Sequence, residues 1–130
     1  MRITTHFTLE EFACRDKDHT PYPQHWIETR LKPLCEALEV IRDMAGGPIH
    51  ILSGYRTVEH NKTIGGAKQS QHCEGRAVDI VCRGKGMEPE VIHTIILRLI
   101  GEGKIPDGGV GLYHSWVHYD QRGSHARWFG

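Results

Sequence analysis

The chain has 130 residues, 38% hydrophobic and 25% charged, and its sixteen basic side chains balance sixteen acidic ones. That length suits one domain over residues 1–130 hiding roughly 60–70% of its extended surface, and the composition excludes a disordered or fibrous chain. Zero net charge disfavours a general nucleic-acid binder, which needs a basic surplus, and no apolar run approaches the ~18 residues of a membrane span.

The opening MRITTHFTLEEF is polar and lacks a secretory signal's apolar stretch, so synthesis in the cytoplasm is expected. Thr8 and Glu11 have capping-box spacing and predict a short helix through Phe12 and Ala13. Residues 16–23, with two prolines and two aspartates, read as a loop. Ile27, Leu31, Leu34, Leu38 and Ile41 then recur at helical steps, with Pro33 expected to kink or restart that helix. Gly46-Gly47-Pro48 stops it. Residues 49–52 read as a strand delivering Ser53-Gly54-Tyr55-Arg56. Residues 57–71 are expected to be mostly loop with one helical turn, and residues 77–81 a second strand. Val91, Ile92, Ile95, Ile96, Leu99 and Ile100 mark another helix, residues 110–113 and 116–120 two tightly joined strands, and residues 122–130 a tail. Helices among short strands without regular alternation predict an α+β fold around a small antiparallel sheet.

Ten histidines in a chain of this size invite a search for a metal site. The cysteines (Cys14, Cys35, Cys73, Cys82) have no C-x2-C spacing and are expected to be free thiols. His72 and Asp79 have six residues between them, with Gly75 letting the backbone turn. His118 follows some forty residues later on a predicted strand. Two imidazoles and one carboxylate suit zinc, leaving its fourth tetrahedral position for water, and bound water becomes hydroxide near neutrality. By spacing alone, such a pair also arises as a solvated histidine and a surface aspartate. His114 and His118 have the spacing of a helical zinc pair but lack the glutamate of HExxH. The glycines at 108, 109 and 111 precede a strand, so they form no phosphate cradle.

The strings SGYRT (53–57), HN (60–61), IGGAKQSQH (64–72), EGRAVDI (74–80), GGVGLYHSWVHYDQRG (108–123) and ARW (126–128) occur in an order that resembles a known family. They are similar to the zinc D-Ala-D-Ala carboxypeptidases and related peptidoglycan endopeptidases, with small relatives in phage and prophage genomes. The resemblance implies a hedgehog/DD-peptidase-like fold and one zinc ion held by His72, Asp79 and His118. It implies that Arg56 binds a substrate carboxylate or developing oxyanion, a role suited to a planar, permanently charged guanidinium. Ser70 and Gln71 would contact the substrate backbone, and His60 with Asn61 would line the cleft beside Arg56. The expected substrates are peptidoglycan stem peptides, met by a monomer after release from the cell or delivery in a virion.

One position departs from that family. Many relatives carry an acidic general base three residues before the last histidine ligand, where this chain has Ser115. On a straight strand His114, Trp116, His118 and Asp120 would share a face. Asp120 would then orient His118 or reach the water itself, and His114 would act as base or as oxyanion donor. Trp116 is expected to be a cleft wall or core filler. Ser115 also motivates a rival reading, a non-catalytic zinc-containing module that binds cell wall; a further rival is a phage structural component without metal.

Overall fold

A computed structural model describes residues 1–130. A short ribbon of β1 (Arg2–Thr4) and β2 (Phe7–Thr8) leads into a 3-10 turn over Leu9–Phe12, where the Thr8 backbone N–H donates to Glu11 at 2.8 Å. Helix α1 (Lys32–Ala45) carries Pro33 in its first turn and follows one π-helical turn over Ile27–Leu31. Pro33 therefore restarts the helix, because proline loses nothing at a position whose N–H has no helical partner. Gly46, at φ 73°, ends α1 in the left-handed conformation.

Beyond it come β3 (Ile49–Ser53), α2 (Val58–Thr63), β4 (Ala77–Cys82), α3 (Pro89–Gly101), β5 (Gly109–Leu112), β6 (Val117–Asp120) and β7 (Ala126–Phe129). The five-stranded sheet runs β3-β4-β6-β5-β7. The fold is α+β, compatible with the hedgehog/DD-peptidase-like architecture, but two expectations need correction. Residues 126–129 are a strand rather than tail, and β7 pairs parallel to β5, so the sheet is mixed. Segment 57–71 is mostly loop with one short helix, Val58–Thr63, in line with the helical turn expected there.

The sheet has two unlike faces. Ile49, Ile51, Val78, Ile80, Cys82, Val110, Val117 and Tyr119 join Leu34, Leu38, Ile41, Ile92, Ile96 and Leu99 of the helices in one core of 22 buried residues. Strand alternation sends Asp79, His118 and Asp120 to the opposite face. β5 contributes Gly109 and Gly111 to that face, where any Cβ would collide with Asp120 or with Trp128. Cys14, Cys35 and Cys82 are buried free thiols, Cys73 is half-buried, and no helix is long and apolar enough to cross a membrane.

Candidate metal centre

The register of β4 against β6 puts Asp79 directly opposite His118. His72 arrives from a tight loop in which Gly75 adopts φ 69° and packs so close to Tyr22 and Trp26 that no side chain fits. The His72 ring is locked from behind, its Nδ1–H donating to the Gly54 carbonyl at 2.7 Å. A carbonyl only accepts, so this partner assigns the tautomer and leaves the lone pair on Nε2. His118 is held the other way round, Nε2–H donating to Asp120 Oδ2 at 2.6 Å. The free nitrogens then meet one oxygen: His72 Nε2 lies 3.2 Å and His118 Nδ1 3.0 Å from Asp79 Oδ1.

Neutral imidazoles would thus aim two lone pairs at a carboxylate, an arrangement that demands positive charge between them. The three candidate ligand atoms lie within 4.8 Å of one another, and all three residues are buried. Tetrahedral zinc with ligands at 2.0–2.1 Å has neighbouring ligand atoms about 3.3 Å apart. The observed 3.0 and 3.2 Å fit that edge. Without a cation, a second proton on His118 must serve. Burial disfavours its charged form, but hydrogen bonds to Asp120 and then Asp79 outweigh this and raise its pKa. Burial pushes His72 down. Burial alone would raise the Asp79 pKa, yet hydrogen bonding to His118 and His72 holds the carboxyl well below its usual range.

Arg56 donates from Nη2 to the other Asp79 oxygen, from Nη1 to Asn61 Oδ1 and from Nε to Ser53 Oγ, each at 3.2 Å. It borders the cleft and leaves part of its five-donor fork unused. Ser70 and Gln71 line the same cleft, of about 650 Å³, and Ser70 Oγ accepts from the His72 backbone N–H. Asn61 reaches the site through Arg56, whereas His60 lines no part of the cleft.

Asp120 is wholly buried. Its carboxylate accepts from His118, the Gly109 and Arg122 backbone N–H groups and both Nε and Nη2 of Arg122, at 2.6–3.1 Å. It braces His118 from behind and cannot reach a water on the ring's far side. The straight-strand expectation for His114 fails. β6 begins only at Val117, the chain turns at 113–116 with Tyr113 N–H donating to the Trp116 carbonyl, and His114 stands exposed outside the cleft. Ser115 is exposed in the same turn.

Sequence reasoning missed three residues here. Trp128 of β7 lies 5.0 Å from the His118 ring and donates from Nε1 to the Tyr113 hydroxyl at 2.8 Å. Tyr113 stacks on Trp116 at 4.7 Å, making an aromatic wall. Arg122 clamps Asp120 while its guanidinium sits 5.2 Å from the Trp128 ring. The two-residue step from Asp120 to Arg122 was the available signal; the ARW string contains Trp128, but only the parallel pairing of β7 with β5 places it at the site.

The family model described as Peptidase M15 matches residues 5–120, which include the Arg56, His72, Asp79 and His118 cluster and Asp120. The chain belongs to the Peptidase M15 family. No curated protein matches it. Membership implies a metallopeptidase, typically zinc-dependent, and His72, Asp79 and His118 are the residues able to hold its metal. The Peptidase M15 match ends at Asp120, so Arg122 and Trp128 extend the site beyond the matched segment.

Proposed function

We propose that the chain is a zinc peptidase hydrolysing the D-amino-acid-containing stem peptides of bacterial peptidoglycan, as a carboxypeptidase or an endopeptidase. The observation that carries this reading is the convergence of His72, Asp79 and His118 at ligand spacing on the floor of an open cleft. Zinc bound there supplies Lewis acidity and a hydrolytic nucleophile at neutral pH. Asp120 fixes the ring and tautomer of His118, as the Gly54 carbonyl does for His72. Arg56 holds Asp79 in place and turns its remaining N–H groups to a substrate carboxylate or developing oxyanion. Ser70 and Gln71 bind the peptide backbone along the rim.

Asp79 is the sole carboxylate lining the cleft, and hydrogen bonds occupy both its oxygens. The chain therefore offers no free acidic base, a group typically contributing about 10²–10⁴ in rate. Slow turnover is the expected consequence. The same observation favours a second reading, a zinc-containing module that binds cell wall without cutting it. Mass spectrometry of muropeptides incubated with the protein, with and without a zinc chelator, separates the two. Chelator-sensitive release of an amino acid or peptide supports the peptidase and identifies the bond cut; stoichiometric zinc with intact muropeptides supports the module.

A further inference from the structure

Beside the metal cleft lies a second cavity of about 730 Å³. Gly66, Gln69, Ser70, Gln71 and Arg122 line both, so the two are neighbours that share the segment preceding His72 as a common wall. The far cavity is strongly cationic. Lys62, Lys68, Arg76 and Arg122 face a single carboxylate, Glu74, a formal surplus of three. The chain as a whole has no net charge, so this concentration is local.

Internal pairing with Glu74 and Asp120 reduces it to the two lysines. Glu74 is shared between Arg76 at 3.8 Å and Arg30 at 3.5 Å. Arg122 is committed to Asp120. The lysines in ion pairs are Lys32 and Lys104, leaving Lys62 and Lys68 exposed on the cavity wall with no carboxylate partner. A like-charged wall costs folding energy through self-repulsion and raises the local concentration of anions.

We propose that this cavity is a subsite for free substrate carboxylates, so that the protein selects acidic stem peptides over those whose carboxylates are amidated. Lys62 and Lys68 are its specificity-determining residues, acting at a distance from the reacting bond. The inference rests on the peptidase reading above.

The test uses the zinc-loaded protein, one synthetic stem peptide in free-acid and amidated forms, and the double variant Lys62→Gln/Lys68→Gln. Binding is followed by equilibrium titration and cleavage by mass spectrometry. Two added charge-assisted contacts predict about tenfold tighter binding and lower KM for the free acid in the wild type. The preference should fall to near unity in the double variant and in about 0.5 M salt, where surface charges are screened. The amidated peptide should be handled equally by both proteins. Equal handling of both peptides by the wild type, or a preference that survives in the double variant, overturns the subsite. Selective binding of the free acid, lost in the variant but without cleavage, keeps the subsite and removes the peptidase reading. Cleavage without selectivity does the reverse.

Discussion

In the proposed metal centre Asp120 holds His118 from behind and touches none of the candidate ligand atoms. Its carboxylate, fully buried, joins His118, two backbone N–H groups and the Arg122 fork, and its pKa is held far below the ordinary range. Burial opposes that shift, and the bonds to His118 and Arg122 override it. Carboxylates behind ligating histidines typically account for 10–100-fold in metal affinity. Asp120→Asn keeps the size and removes the charge, so zinc affinity measured by chelator competition should fall by about that factor. Unchanged affinity would mean that His118 needs no brace.

Strand β7 shows how an element absent from the local pattern completes a site. It lies along β5, and its Trp128 covers the space that Gly111 leaves open. Arg127 helps anchor it, donating to Asp107 at 2.8 Å while His125 sits 2.9 Å from the same carboxylate. The Arg127 bond first, then that of His125, lowers the Asp107 pKa to about 2. An unfolded aspartate titrates near 3.9. The anchor is therefore at full strength above that value and is lost as pH falls toward 2. Acid melting of Asp107→Asn should show a shallower loss of stability across that window than the wild type; identical acid limbs would contradict the anchor. Strands β3 to β6 were legible because alternation and glycine punctuation are local signals. β7 was not: ARWF has no alternation, and its partner lies across an intervening strand. The register that sets Asp79 opposite His118 is likewise long-range, so the candidate ligands, and Asp120 behind His118, could be named from sequence, whereas the Gly54 carbonyl that orients His72 could not. His114 was misplaced because a turn at 113–116 interrupts the assumed straight strand.

The whole molecule separates stability from chemistry across one sheet. Twenty-two buried residues pack on the helix-covered face, and the titratable cluster occupies the other. Metal removal should therefore leave the chain folded, unlike small domains whose only core is a zinc site. Zinc at about 100 times its Kd should stabilise by about 2.7 kcal/mol and raise Tm by roughly 10 °C. Calorimetry with and without chelator checks this, and unfolding on chelation would show that the centre is structural. The candidate metal cleft, lined by Tyr113, Trp116 and Trp128, neighbours the cavity that bears Lys62 and Lys68. The most direct measurement is zinc content by elemental analysis, taken with stem-peptide cleavage, for the wild type and for His72→Ala and His118→Ala. One zinc per chain with cleavage, both lost in each variant while the circular dichroism spectrum persists, is the predicted result; cleavage that survives either substitution would contradict it.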